Sequence, residues 1–397
     1  MKISLFTDTL GDLNGVSRFI QDMGEQACLN GVDLQIVTST SKPLPEKMYI
    51  VNLPYRFRLP MPFYQELDLV IAKRHQIREY LQQNQPDLVH ISTPGPFGWQ
   101  AKKVAEKMGF PLIGTYHTDF PAYLLDLTGS KWIKHRTDHE MTRFYRPFSH
   151  VFSRSVAYLE VMANDIGIGY ERSMALFPGT NLQRFHPQHA DRRVWPHFGL
   201  SAERLKVLYV GRINIEKNLP FLVEVWQAFL DSHPHIQADL VMVGEGRYRK
   251  WADKLRVHHA YFLGPVVGET LSKVYASADL FIFPSVTDTL GQVVMEAQAS
   301  GLGCLVSDVG GPQSLVKDEQ TGWVLKANDK SIWIEGLAQA LSDAVLRQRW
   351  KEGAREHMLE YNIADSFEQF ISVHRQIYQE ILSDHDAVTQ ATNRVAT

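Results

Sequence analysis

Two cations and two carboxylates in the second half of the chain have the types and spacing to do chemistry. Arg212 and Lys217 lie in Val210-Gly211-Arg212-Ile213-Asn214-Ile215-Glu216-Lys217-Asn218, where an apolar run ends in glycine and a helical pattern follows. Two cations beside the N–H groups of a helix start make an anion site suited to a diphosphate. A solvated arginine and a helix-surface lysine account for the same segment. Asp288 and Glu296 are eight residues apart, just over two turns at about 3.6 residues per turn. With a helix opening near Thr289, Asp288 takes the N-cap position, a place Asp fills in any helix. Glu296 sits among Val293, Val294, Met295 and Ala297. A carboxylate in such company needs partners, and the hydroxyls of a ribose would serve.

The first half offers a histidine and a glycine. His117 lies in Gly114-Thr115-Tyr116-His117-Thr118-Asp119-Phe120-Pro121, at the end of an apolar run. A lone histidine is more often structural than catalytic; a strand end, where ligands of α/β sheets collect, favours function. Gly15, in Asp12-Leu13-Asn14-Gly15-Val16-Ser17-Arg18, opens a helix and permits close backbone approach to a phosphate. Gly244-Glu245-Gly246 offers the same, and either can be a plain turn. No Gly-x-Gly-x-x-Gly follows the first strand, which argues against a nicotinamide dehydrogenase, and no Gly-x-Ser-x-Gly elbow marks a hydrolase. Asp384-His385-Asp386, in the terminal tail, reads as chance, and His233-Pro234-His235 as a surface turn.

Short apolar runs at 2–7, 33–38, 87–92, 111–115, 206–211, 239–243, 280–284 and 304–307 alternate with helical patterns such as Leu219, Leu222, Val223, Trp226 and Phe229. The alternation predicts parallel sheets covered on both faces. Two series flank a polar stretch at 186–200, which predicts domains at 1–190 and 191–365. A last helix at 366–383 carries Phe367, Phe370, Ile371, His374, Ile377, Tyr378 and Ile381 on one side, a seam to pack across the first domain. Residues 384–397 read as a loose polar tail.

Composition narrows the class. With 44% hydrophobic and 21% charged residues the chain is an ordinary globular one. A net charge of −3 suggests no nucleic-acid partner. The first 190 residues carry 20 Lys+Arg against 18 Asp+Glu, the rest 21 against 26, so the first half is the better suited to an anionic surface. No run reaches the roughly 18 apolar residues of a membrane span. Cys28 and Cys304 make neither a disulfide framework nor a metal spacing, and a cytoplasmic location is expected.

Taken in order, these segments resemble the retaining glycosyltransferases of family 4, with the GT-B fold: two Rossmann-like, doubly wound α/β domains facing across a cleft. Pro86-Asp87-Leu88-Val89-His90, Phe177-Pro178-Gly179-Thr180-Asn181, Ala297-Gln298-Ala299-Ser300-Gly301 and Gly310-Gly311-Pro312 extend the likeness from residue 1 to 382. Asn14-Gly15-Val16, Thr93-Pro94-Gly95-Pro96 and Tyr116-His117-Thr118-Asp119-Phe120 resemble the subgroup that attaches mannosyl or sulfoquinovosyl groups to lipids.

The resemblance implies a hexosyltransferase that needs no cofactor or metal and moves a sugar from a UDP- or GDP-linked donor to a lipid or glycan acceptor, forming an α-glycoside. Arg212 and Lys217 would grip the diphosphate and Glu296 the ribose. Asp288 stands where the family usually has a Glu on the transferred sugar. His117 would lie beside the anomeric centre; Gly211, Gly244, Leu290 and Gly291 would line the donor, with Gly15 and Val16 closing from the first domain. Asn14, Tyr116 and Asp119 fall to the acceptor side. The leaving phosphate would help deprotonate the acceptor on the front face of the sugar. A GT-B epimerase or phosphorylase is the alternative enzyme, and a non-catalytic sugar-nucleotide binder the alternative from another class.

For the acceptor the residues say less. Cations mix with aromatics in Tyr55-Arg56-Phe57-Arg58-Leu59-Pro60-Met61-Pro62-Phe63-Tyr64 and in Lys131-Trp132-Ile133-Lys134-His135-Arg136. Such mixtures suit peripheral contact with an anionic membrane; a surface loop and an ordinary helix face explain them as well.

Overall fold

The computed structural model describes every residue except Leu13, Pro62, Phe63, Thr118, Ala396 and Thr397. Those positions of the quoted motifs, and the side chains of Asp384, His385 and Asp386, lie outside the described residues. The first domain opens with β1 (Lys2–Phe6), α1 (Gly15–Leu29), β2 (Asp33–Thr38) and β3 (Ile50–Asn52). A hairpin of β4 (Tyr55–Met61) and β5 (Tyr64–Ala72) leads to α2 (Arg74–Asn84), β6 (Leu88–Ile91) and α3 (Pro96–Lys107). β7 (Leu112–Tyr116), α4 (Phe120–Thr128), α5 (Lys131–Tyr145), β8 (His150–Ser153), α6 (Ala157–Asp165) and β9 (Ser173–Ala175) complete it.

The second domain runs α7 (Val194–His197), β10 (Leu205–Val210), α8 (Leu219–Ser232), β11 (Ala238–Val243), α9 (Ala252–Arg256) and β12 (Ala260–Gly264). α10 (Gly268–Ser277), β13 (Leu280–Phe283), α11 (Gln292–Ala299), β14 (Cys304–Ser307) and β15 (Gly322–Leu325) follow. α12 (Lys330–Ser342), α13 (Ala344–Met358) and α14 (Ile363–Val395) close the chain.

Each sheet is parallel and doubly wound. The first has order β3-β2-β1-β6-β7-β8-β9, the second β12-β11-β10-β13-β14-β15. Central strands such as Leu-Phe-Ile-Phe in β13 are buried along their whole length, as strands covered on both faces must be. The strand order reverses between β1 and β6 and between β10 and β13. Those two points are where crevices open beyond the strand ends.

The second core packs around Trp195, Trp226, Trp333 and Trp350, all nearly free of solvent. The first sheet has two apolar faces. One carries Phe6, Val89 and Ile91 against α2 and α3. The other carries Ile3, Leu5 and Ile113 against Phe19 and Ile20 of α1 and Phe367, Phe370, Ile371 and Ile377 of α14. The chain therefore crosses between the domains twice, and the crossings are joined: Thr180 N–H donates to the Tyr361 carbonyl at 2.9 Å and Ile363 N–H to Thr180 at 3.0 Å.

Beneath α14, His374 Nδ1 donates to the Phe370 carbonyl at 2.6 Å, which leaves its Nε2 to accept from His90 Nδ1 at 2.9 Å. His90 Nε2 then accepts from the Thr115 hydroxyl at 2.8 Å. With both rings neutral every member of the chain is satisfied, and burial holds both in that state. The stretch read as a loose tail, 384–397, continues α14 to Val395; with neither Gly nor Pro after Ser383, nothing in the sequence stops the helix.

Candidate functional site

The loops after β10 and β13 meet at an ion pair. Lys217 Nζ donates to both carboxylate oxygens of Asp288 at 2.7 Å, and Lys217 is only 7% exposed. Burial works against the charge on Asp288, but the ammonium and its hydrogen bonds more than offset it and hold the carboxyl below its ordinary range. Arg212 Nε lies 3.5 Å from Glu216 Oε1. The two cations expected to grip an anion are thus each braced by a carboxylate, and Glu216 is a partner that sequence reasoning missed.

Asp288 is not the N-cap expected of it. α11 begins at Gln292 and its cap is Gly291, at φ +88°, a left-handed conformation that favours glycine. The long-range pair with Lys217, across 71 residues, claims Asp288 instead. Gly244 is fixed by closeness: a Cβ there would run into the Gly211 carbonyl, because the loops after β10 and β11 pack main chain to main chain. Leu290 is buried, 8% exposed, at the turn into α11.

Glu296 is buried on α11. The Tyr275 hydroxyl donates to its Oε2 at 2.9 Å, and Arg18 Nε of the first domain stands 4.0 Å from Oε1. Burial raises its pKa, with Arg18 and Tyr275 opposing. Neither Arg18 nor Tyr275 was singled out from the sequence as a partner.

Across the cleft, His117 follows β7 and is 7% exposed. Its Nε2 bonds the Ser92 hydroxyl at 2.8 Å, and its carbonyl accepts from Thr289 of the second domain at 3.0 Å. Burial, with the Arg154 charge adding to it, pushes the imidazole down to about 3, so the ring is neutral. Gly15 starts α1 against the start of α11, where a Cβ on it would lie 3.3 Å from Gln292 Cβ. Val16 is half-buried beside it.

The three residues expected on the acceptor side have local duties. Asn14 caps α1, its Oδ1 accepting from Ser17 N–H at 2.8 Å. Asp119 caps α4, its Oδ1 accepting from Ala122 N–H and from the Tyr116 hydroxyl, each at 3.1 Å, and Tyr116 is 2% exposed. Asp8, passed over in the sequence, takes bonds from the Thr93 hydroxyl and the N–H groups of Phe97 and Gly98, which fixes Thr93-Pro94-Gly95-Pro96 above β6. Burial raises its carboxyl to about 6.

The arrangement sets cations, two helix starts and a neutral histidine around the carboxyl ends of two facing sheets. Among the described residues no group of three or more His, Cys, Asp or Glu gathers as a metal site. None of their helices is long and apolar enough to cross a membrane.

Known proteins carry the same plan. The family model described as Glycosyltransferase Family 4 matches residues 13–184, and that described as Glycosyl transferases group 1 matches 195–357. The sulfoquinovosyl transferase of Arabidopsis thaliana is 27% identical over 354 residues, 87% of this chain and 66% of that protein's length. The GDP-mannose-dependent alpha-mannosyltransferase of Corynebacterium glutamicum is 25% identical over 356 residues, 86% of this chain and 81% of that protein. The structure of Anabaena HepE with UDP and glucose superposes with a TM-score of 0.72 at 14% identity, over 94% of this chain and 99% of that one. With one matched domain on each sheet, the chain belongs to the GT-B glycosyltransferases, a family 4 domain followed by a group 1 domain.

Proposed function

We propose that this glycosyltransferase is retaining and metal-independent, and that it moves a sugar from a UDP- or GDP-linked donor to a lipid or glycan acceptor, leaving an α-glycoside. The donor belongs to the second domain, 191–365, and the acceptor to the first, 1–190, with 366–383 as the strap between them. The observation that supports this most is the buried Lys217–Asp288 pair at the strand-order reversal of the second sheet.

When the anomeric C–O bond breaks, negative charge gathers on the leaving diphosphate. Arg212 and Lys217, already held in place by carboxylates, meet that charge without reorganising, which is how fixed dipoles and cations lower such barriers. The N–H groups of Leu290 and Gly291 add to them, and Gly211 and Gly244 let the phosphates approach the main chain. Glu296 takes the ribose hydroxyls, and Asp288 reaches the sugar while steering Lys217. His117, neutral and backed by Ser92, accepts a hydrogen bond or donates one beside the anomeric carbon without adding charge there. Closure brings Gly15 and Val16 onto the donor.

A lipid acceptor fits the hairpin of β4 and β5. Phe57 is 51% and Leu59 48% exposed, with Ile71 at 41% on the paired strand and Arg56 and Arg58 interleaved. Trp132, at the start of α5, is 74% exposed. These suit the edge of an anionic membrane on its cytoplasmic side.

The test is a thermal-shift screen of UDP-, GDP- and ADP-sugars, followed by nucleotide release with lipid and soluble acceptors and assignment of the product anomer. Turnover that survives EDTA and gives the α-anomer is expected. Loss of activity in EDTA, a β-product, or full turnover by an Arg212→Ala, Lys217→Ala double variant would each overturn the reading.

A further inference from the structure

The strip at 288–292 is held from three sides. Lys217 grips Asp288, the His117 carbonyl takes the Thr289 hydroxyl, and Arg154 donates through Nη2 to Gln292 Oε1 at 3.2 Å. The third contact has no part in the site as drawn above. We propose that Arg154 is a positioning residue for the transfer, and that it lends the first domain's positive charge to a diphosphate seated between the first turns of α1 and α11; this rests on the function proposed above.

Arg154 follows β8 at the carboxyl end of the first sheet and is only 5% exposed. Its guanidinium lies 3.8 Å from the centre of the Phe19 ring, and the Phe19 and His117 rings pack edge to face with their centres 5.8 Å apart. The Nε–H is buried and has no acceptor among the described residues. Asp22, the carboxylate whose charge reaches Arg154, binds Arg184 with its Oδ1 at 3.2 Å. A buried cation with an unmade hydrogen bond is costly in a folded chain and calls for an explanation.

The surroundings supply one. Gly15 is the first residue of α1 and Gln292 the first of α11, and they lie so close that a Cβ on Gly15 would come within 3.3 Å of Gln292 Cβ. Helix starts carry partial positive charge and unpaired N–H groups. Two of them converge here on an incompletely paired guanidinium, so an anion with several acceptor oxygens complements all three. A diphosphate has that shape and charge. Gln292 Nε2 also donates to the Gly179 carbonyl at 3.1 Å, in the first crossing between domains. The Arg154–Gln292–Gly179 chain thus ties the first domain's strand end to the start of α11 and to the crossing.

Calorimetric titration of the full-length protein with inorganic pyrophosphate, and in parallel with UDP and GDP, tests this. Arg154→Met should weaken pyrophosphate by about tenfold or more, and Arg154→Lys, which keeps the charge, should recover most of the loss. A merely structural role would move the melting temperature and leave pyrophosphate affinity where it was. Wild-type affinity in a folded Arg154→Met protein overturns the proposal. Should that variant fail to fold, Arg154→Gln gives the same comparison. Lys217→Ala separates the two readings: if it too binds pyrophosphate like wild type, or if wild type does not bind it, the diphosphate site itself is wrong; if only the Arg154 variants are unaffected, the role of Arg154 alone falls.

Discussion

The two domains share a fold and differ in how they hold charge. In the second, Arg212 and Lys217 are each paired with a carboxylate on the same loop or the next one. In the first, His117 is stripped of charge by burial, and Arg154 keeps its charge with a neutral partner. A cation braced by an acid stays where it is put when the cleft is empty. A neutral ring or a half-satisfied guanidinium gains most when something else arrives. The second domain is built to be ready, and the first to be completed.

That contrast can be broken most forcefully at Lys217. Lys217→Ala should lower kcat by roughly 100- to 1,000-fold, as loss of one charge-stabilising donor does; steady-state nucleotide release measures it, and a fall of less than tenfold would remove the ready-made cation from the mechanism. Acid probes the first domain next. Burial holds His374 at about 4 and His117 at about 3, with the Phe370 carbonyl opposing for His374 and Arg154 reinforcing for His117. An unfolded histidine binds a proton below about 6.5, so stability is whole above that pH and declines as pH falls toward 4, by about 3 kcal/mol for His374 alone. Urea midpoints at pH 7 and pH 5 report it, and equal midpoints would deny the neutral His90–His374 pair.

Smaller effects sharpen the comparison. Glu296→Gln should raise the donor KM by about tenfold while kcat changes little, since a contact equal in ground and transition states acts on KM; a selective fall in kcat would assign Glu296 to the chemical step. Phe57→Ser with Leu59→Ser should shift stability by no more than about 0.5 kcal/mol per site, as exposed substitutions do, yet abolish co-flotation with anionic liposomes. Flotation equal to wild type would take the hairpin out of acceptor recognition.

Much of the frame was legible before any coordinates. The central strands announce themselves as unbroken apolar runs because parallel strands are buried on both faces. The short edge strands β3 and β9, of three residues each, carry too little pattern to be seen. Motifs in the sequence pick out candidate residues at the strand ends, but not the partners those residues pair with. Arg154 reaches Gln292 across 138 residues and Lys217 reaches Asp288 across 71. No local spacing encodes such a contact. Asp288 shows the cost: a helix-cap rule that is sound locally lost to an ion pair formed elsewhere in the chain. Asn14 and Asp119, which the resemblance puts on the acceptor side, also cap helices in the fold, a local duty the sequence analysis did not assign to them.

The packing of α14 also bears on how the protein is made. Its apolar side covers the sheet face that carries Ile3 and Leu5, residues that leave the ribosome long before α14 does. During synthesis the amino-terminal domain therefore waits, with one greasy face open, until the whole of the other domain has emerged. A nascent chain in that condition is prone to self-association, so deletions that remove α14 should be felt as poor yield well before any question of turnover arises.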